Sequence, residues 1–500
     1  MIKNPSPEQL KFRQWFKSGH GNLIGRARAG TGKTTTIIDG VEVAPEQRIL
    51  LAAFNKSIAN ELQARVKSDR VQVKTLHGLG YAFVRKMWFA VTVDVDVDGK
   101  RALDLARAVC EPMTSHRVLQ LLARIHSKLR EVQPHETSSE DALAIMNRFD
   151  LLPDDEMEIE EGVTDRWLAI RASKAVEIAK KRSPIIDFAD MIFLPVVHRA
   201  MQPWFDMVVV DEAQDMTAAQ LELAIGSCRR GGRIAIVGDD RQAIYGFRGA
   251  DSGSLDRLKK TLHAVELGLT TTYRCPKRVV EVASQFVPDF RAAPLAPEGI
   301  VESCGDDRMV ALAEPGDFIL SRTNAPLIKI CMTILRQGRK AYIRGRDIGK
   351  GILALVDRQG ARDLVDLEER LRVWHSREST RAMQIVDDDA AQARLDFVDD
   401  QLGVCLSLVE DVGSLKEFRV KLETGFSDAG GAAVMCSTVH KAKGLESENV
   451  FLLEGTFRGI GKEDEVGEEQ NIVYVAVTRS KQRLWWVSGF EKKARKREAA

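Results

Sequence analysis

Residues 27–35 read ARAGTGKTT. This run constrains the chain more than any other, because its glycines impose a tight turn between two elements. Asn22, Leu23, Ile24 and Gly25 lead into it as apolar residues and turn formers. Gly30 and Gly32 let backbone N–H groups converge on phosphate oxygens. Lys33 is placed to reach the β- and γ-phosphates of a nucleotide, and Thr34 to ligate Mg²⁺. Ala29, Thr31 and Thr35 complete the expected phosphate cradle, and Thr35 to Ile38 begin a helix whose N-terminus favours an anion. Ala27 stands where the strict pattern G-x-x-x-x-G-K-[ST] has its first glycine.

The runs Arg48–Ala53, Met207–Val210 and Arg233–Val237 are continuously apolar or nearly so. Runs of that kind read as buried parallel strands of an α/β sheet. A second set follows at Asp317–Leu320, Ala433–Cys436 and Asn449–Leu453. Two such sets predict two α/β domains. Between them, the charged helical stretches 100–182 and 350–425 read as insertions with their own cores. A chain of 500 residues, 44% hydrophobic, is long enough for several packed domains.

The net charge of +1 neither supports nor excludes a nucleic-acid partner, so any basic tract must be local. The seven cysteines are scattered without a C-x-x-C pair. That pattern suits a reducing compartment and argues against a zinc ribbon or disulfide scaffold. No apolar run approaches the ~20 residues of a membrane span, and the N-terminus lacks the core of a signal peptide. A soluble, cytoplasmic protein is expected. Glu491–Arg497 form a basic tail, either a solvated helix end or a DNA arm. Asp94–Gly99 match half of a calcium loop, but its twelfth position is Leu105, where a bidentate glutamate is needed. The alternation over Val91–Val97 reads instead as a strand ending in a turn.

After the Val208–Val210 run comes Asp211-Glu212-Ala213-Gln214-Asp215. A strand that delivers adjacent acids to its C-terminal edge is what nucleotide hydrolysis needs. Asp211 would hold Mg²⁺, through water or directly, and Glu212 would act as general base on the attacking water. Further on, Val237-Gly238-Asp239-Asp240-Arg241-Gln242 ends another strand in acids and a glutamine. Gln242 is placed to sense a γ-phosphate. Tyr245, Phe247 and Arg248 come next, offering ring faces and a cation to unpaired bases and their backbone. The alternative is that Tyr245 and Phe247 belong to the core.

With these strings in view, the chain resembles superfamily 1A DNA helicases of the UvrD/Rep/PcrA type. DEAQD and GDDRQAIYGFRGA carry the resemblance, and other stretches match in order. Pro7–Leu10 resembles the adenine-reading Q motif, Ala53–Lys56 motif Ia, and Thr75–Gly78 the next, DNA-contacting motif. Ile186–Met191 resembles the acidic stretch that leads back into the first motor domain. Thr272–Pro276, Ser437–Glu446 and Tyr474–Lys481 resemble motifs IV, V and VI.

The resemblance implies RecA-like motor domain 1A over 1–80 and 187–268, and a mainly helical insertion 1B over 81–186. It implies RecA-like motor domain 2A over 269–345 and 431–490, a reduced helical insertion 2B over 346–430, and a basic tail over 491–500. It further implies that Arg274 and Arg479 act as arginine fingers supplied by the second motor domain. Tyr273 would stack on adenine, Gln9 would hydrogen-bond its edge, and Glu446 would approach the ribose. Phe54, Asn55, Thr75, His77, Tyr245, Phe247, Arg248, Thr438 and His440 would line a single-strand track.

Some positions depart from the family. Arg28 replaces a usual glycine and is expected to point either to solvent or to the α-phosphate. Phe247 stands where tryptophan is usual, and Gln470-Asn471 replaces a commoner charged pair. The 346–430 region is short for the family, which bears on autoinhibition, dimer activation and duplex gripping. The segment after motif VI is too short for a fused nuclease, so a nuclease partner would be a separate chain.

The resulting expectation is an ATP- and Mg²⁺-dependent motor on single-stranded DNA and single/double-strand junctions. The resemblance implies 3′-to-5′ movement, partners in repair or replication, and no membrane. The alternative is an ATP-gated DNA-sensing subunit of a defence or recombination complex with a separate nuclease.

Overall fold

The computed structural model describes residues 2, 4–88, 90–93, 99–149, 151, 162–244, 254–383, 388–427, 433–457 and 467–489. The sequence-derived candidates Asp94–Asp98, Tyr245, Phe247 and Arg248, and the basic tail, lie outside the described residues. The chain forms two compact units, Met1–Arg28 with Gly32–Thr270, and Thr271–Ala500 with Ala29–Thr31.

The first unit is built on a six-stranded sheet. In chain order its strands are β1 (Leu23–Ala27), β2 (Ile49–Ala53), β3 (Val71–Thr75), β4 (Phe205–Val210), β5 (Cys228–Gly238) and β6 (Val265–Leu269). They lie in the order β3-β2-β4-β5-β1-β6, with every neighbouring pair parallel. All residues of β2 and β4 are buried, because helices cover both faces and successive side chains serve opposite layers. Leu23, Leu51, Val209 and Ala235 pack with Phe12, Phe16 and Ile37. Their neighbours Ile24, Leu50, Val208 and Ile234 pack with Leu79, Phe83 and Leu223 on the other side. Each fully buried Val or Leu contributes roughly 1.5–3 kcal/mol of transfer free energy.

Between β3 and β4 the chain makes a helical excursion. Helices Lys100–Arg107, His116–Val132, Ser139–Arg148 and Asp165–Ala179 enclose a core of Leu122, Ile125, Leu129, Met146, Leu168 and Val176, joined by Val84 and Phe193. Leu105 belongs to this core. Ionic bonds tie the excursion to the start of the helix Phe188–Val197. Arg130 is fully buried; it donates to Asp187 at 3.0 and 2.7 Å and to Asp190. Arg101 reaches the other Asp190 oxygen at 3.0 Å. Asp187 also caps the helix Phe188–Val197, which returns the chain to β4. That helix crosses Leu76–Met87 closely: a Cβ at Gly80 would come 2.0 Å from the Met191 carbonyl oxygen.

The second unit holds a seven-stranded sheet. Its strands are β7 (Ile300–Gly305), β8 (Phe318–Ser321), β9 (Ala341–Arg344), β10 (Phe426–Ser427), β11 (Val434–Thr438), β12 (Ser447–Leu453) and β13 (Ser480–Ser488). They lie in the order β7-β13-β12-β8-β11-β9-β10, again all parallel.

Four helices span the interval from β9 to β10, namely Arg346–Gln359, Leu364–Ala382, Asp388–Val409 and Leu415–Gly425. The expectation that the stretch 350–425 has a core of its own is overturned. Leu355, Leu371, Trp374, Val404, Leu408 and Phe418 share one cluster with Ile319, Ile343 and Val434 of the sheet. So short an excursion buries its apolar faces more fully against an existing core than against itself. Asp400 fastens it there. One of its oxygens accepts from the Asn324 and Ala325 backbone N–H groups at 2.7 and 2.8 Å, and the other from Asn324 Nδ2 at 2.8 Å. Among the described residues, no helix is long and apolar enough to cross a membrane.

Candidate nucleotide-binding site

Strands β4, β5 and β1 are sheet neighbours, and their registers align their C-terminal ends: Val210 pairs with Ile236, and Arg26 with Gly238. The residues just past these strands therefore meet at one sheet edge, where ligands bind in open α/β sheets. The loop after β1 turns through Gly30 and Gly32, with φ of +68° and +78°, a region that disfavours side chains with a Cβ. Ala29 and Thr31 are buried beside them. Helix Lys33–Val43 starts at Gly32, leaving its first N–H groups for an anion.

Lys33 Nζ lies 3.0 Å from Asp211 Oδ1 and 2.6 Å from Glu212 Oε2. Burial works against the Lys33 ammonium, but the two carboxylates outweigh it and hold Lys33 above its usual range. Thr34 Oγ1 donates to Asp211 Oδ2 at 3.4 Å. This pairing of a hydroxyl and a carboxylate supplies the hard oxygen donors that Mg²⁺ prefers. Thr35 faces elsewhere: it is exposed, and its hydroxyl accepts from Arg65 at 2.8 Å.

Glu212 has a left-handed backbone, φ +54° and ψ +40°, a conformation that costs a non-glycine residue about 1 kcal/mol or more. Gln214 supports it from behind. Its Nε2 donates to Glu212 at 2.6 Å, and its Oε1 accepts from the Asp239 N–H at 3.0 Å. A Cβ at Gly238 would sit 2.6 Å from that Oε1, which explains a glycine before Asp239. Asp239 in turn accepts from Gln242 Nε2 at 2.7 Å, fixing the amide expected to sense phosphate.

The expectation for Arg28 is corrected on solvent exposure. Its side chain is 8% exposed and bonds Asp239 at 3.0 Å and Asp240 at 2.7 Å. Buried Asp239 sits beside the loop, so an arginine there finds carboxylates sooner than water. Burial holds the Asp239 carboxyl above its usual range, and the Arg28 charge offsets only part of that rise. Nothing in the local sequence signals this pairing, nor the role of Gln214. Gln9 is buried; its Oε1 accepts from the Ser6 N–H at 3.0 Å in a capping box, and its Nε2 lies against Gly32.

In the second unit, Arg274 Nε pairs with Glu446 Oε2 at 2.6 Å, and Tyr273 is half exposed. Arg479 is almost fully buried. It donates to the Val475 carbonyl at 2.8 Å, the Leu445 carbonyl at 3.1 Å and Thr478 Oγ1 at 3.2 Å. Burial, and then the neighbouring Arg274 cation, lower it to about 10. A cation so placed gains strongly from an arriving anion.

The family model for the UvrD/REP helicase N-terminal domain matches residues 9–263, and the model for the UvrD-like helicase C-terminal domain matches 414–490. The chain belongs to the UvrD/Rep helicase family. Among its relatives, F-box DNA helicase protein 1 of Schizosaccharomyces pombe is 25% identical, over 92% of this chain and 54% of the relative. DNA helicase II of Haemophilus influenzae is 22% identical, over 55% of this chain and 40% of the relative. ATP-dependent DNA helicase PcrA of Bacillus subtilis is 24% identical, over 94% of this chain and 81% of the relative. The chain thus spans about half the length of the first two.

The UvrD/Rep resemblance also named DNA-contact candidates, and the described ones fall at two sheet edges. In the first unit, Ala53 pairs with Thr75 across β2 and β3, so Phe54–Asn55 and Thr75–His77 emerge side by side. Two of these side chains have local work: Asn55 Oδ1 accepts from the Ile58 N–H at 2.9 Å, and Thr75 Oγ1 from the Gly78 N–H at 3.1 Å. Phe54 packs partly against the core. His77 meets Phe188 edge-to-face at 5.9 Å, and burial lowers its basicity. Phe188 is 44% exposed and was missed as a candidate. An apolar aromatic opening a helix, directly after a capping aspartate, was the signal that could have found it. In the second unit Thr438, at the end of β11, is buried, and His440 lies in the short helix Val439–Ala442.

Proposed function

We propose that this chain is an ATP-driven motor that moves 3′-to-5′ along single-stranded DNA and separates strands at junctions. The observation that carries it is the Lys33–Asp211–Glu212 cluster, on the same sheet edge as the Phe54–Asn55 and Thr75–His77 pairs. In this reading the 81–186 and 346–430 regions are the 1B and 2B insertions of the two motor domains.

Gly30, Gly32 and the first N–H groups of the Lys33–Val43 helix bind the phosphates of ATP. Lys33 turns its ammonium from the carboxylates to the γ-phosphate. Thr34 and Asp211 would hold Mg²⁺, which would supply positive charge to the phosphate oxygens. Glu212 takes a proton from the attacking water, and Gln214 keeps its carboxylate aimed. Gln242 reads the γ-phosphate. Arg274 and Arg479 stabilise charge on the transferring phosphoryl group. Tyr273 and Gln9 hold the adenine, with Glu446 near the ribose. Phe54, His77, Tyr245, Phe247 and Arg248, with Phe188 as an added ring, offer stacking faces to bases.

The test is ATP turnover with and without oligo-dT, at low and moderate salt, and then unwinding of forks of both polarities. Strong stimulation by oligo-dT that weakens with salt supports the motor. Turnover indifferent to DNA overturns it. Unwinding only from 5′ overhangs overturns the polarity. Turnover without any partner also separates the motor from a partner-dependent DNA sensor.

A further inference from the structure

Arg28 opens the phosphate loop, yet its side chain leaves the loop. One atom, Nη1, bridges Asp239 Oδ1 at 3.0 Å and Asp240 Oδ1 at 2.7 Å. Its backbone N–H donates to the Leu269 carbonyl at 2.9 Å, so the main chain at this point is anchored to β6. Asp239 is a hub. It accepts from Gln242 through its other oxygen, and its N–H is held by Gln214, which also bonds Glu212. Two residues earlier, Arg26 reaches Asp240 Oδ2 at 3.1 Å and Glu266 at 3.2 Å. It also pairs with Asp256 on the helix Ser254–Thr261. Asp240 and Asp256 stand, in sequence, on either side of Tyr245, Phe247 and Arg248.

A buried cation shared by two carboxylates resists withdrawal, because Asp239 is 1% exposed and separating opposite charges in so buried a place is costly. A displacement of the Arg28 side chain is therefore passed to Asp239, and through Asp239 to the Gln242 amide. We propose that Arg28 is a positioning residue, whose bridge to Asp239 and Asp240 couples the phosphate loop to Gln242 so that nucleotide binding changes the affinity for single-stranded DNA. A glycine at this position would complete the loop but not the bridge. This proposal rests on the motor reading above and adds a chain-specific link to it.

The experiment measures the affinity of the full chain for a fluorescent oligo-dT, with and without a non-hydrolysable ATP analogue. The ratio of the two affinities is the coupling. Arg28→Gly is expected to bring the ratio toward one, a loss of about five- to tenfold. Arg28→Lys is expected to keep most of it, because a single nitrogen makes both bonds and a lysine ammonium can do the same. An Arg28→Gly chain that melts lower but keeps the wild-type ratio overturns the proposal, since a merely structural role predicts that result. If Arg28→Gly does not fold, Asp240→Asn reads the same bridge from its more exposed end: a reduced ratio supports it, and an unchanged ratio overturns it. A wild-type ratio of one removes both the motor reading and the bridge. A wild-type ratio far from one with Arg28→Gly unchanged removes the bridge alone.

Discussion

Lys33 Nζ stands 3.0 Å from Asp211 Oδ1, joining the start of the helix after β1 to the end of β4, two positions far apart in the chain. The ion pair is buried on the carboxylate side, where Asp211 is 1% exposed. Stability and chemistry therefore meet in one contact.

Lys33→Ala should lower ATP turnover by at least about 100-fold, the scale for loss of a charge clamp on a phosphoryl group. It should also destabilise the first unit by about 3 kcal/mol, because Asp211 is left buried without its cation. Adding Asp211→Asn should restore part of the melting temperature and none of the turnover. Near-wild-type turnover in Lys33→Ala would sink the site assignment.

Arg479→Ala and Arg274→Ala should each reduce turnover by about 10³-fold, while affinity for oligo-dT stays within about threefold. Arg274→Ala also leaves Glu446 with Lys481 as its cation partner, at 3.7 Å. Equilibrium DNA binding beside steady-state ATPase measures both effects. Loss of DNA binding in either variant, with folding intact, would place the residue outside the phosphate chemistry.

His126 donates from Nε2 to the Ala102 carbonyl at 3.0 Å, with Arg130, Arg101 and Asp187 around it. Burial, then the Arg130 charge, depress it to about 3. The folded value lies below the unfolded one, so the unfolded chain binds the extra proton. The stability contribution is full above about pH 6.5 and is lost as pH falls toward 3, with a slope up to about 1.4 kcal/mol per unit. Urea melts at pH 7, 6 and 5 should show this loss, and His126→Gln, which keeps the donor, should flatten it. Equal slopes in both chains would remove His126 as the cause.

Asp400→Ala should destabilise the second unit by about 2–3 kcal/mol, since three donors of the Asn324–Ala325 cap lose their acceptor. Asp400→Asn should cost less, because one carbonyl oxygen remains to accept. Thermal melting of the two variants provides the comparison. A nucleotide affinity that falls along with stability would show that this anchor supports more than the second core.

Local information in the chain determined the elements and the chemistry at their ends. The six apolar runs read as strands all became strands, because a strand covered on both faces is apolar at nearly every position whatever its partners. Gly30, Gly32, Lys33, Asp211 and Glu212 were legible for the same reason: each sits where an element ends, and that place is written in neighbouring residues. Tertiary structure alone decided which ends meet. Arg28 bonds Asp239 rather than solvent because β1 lies beside β5, more than 200 positions later. The 350–425 helices share a core with the sheet because β9 and β10 are neighbours, so the excursion between them leaves and returns at one place. Pairings of that kind follow from strand order, which is settled by packing of the whole sheet and leaves no mark in any short stretch of chain.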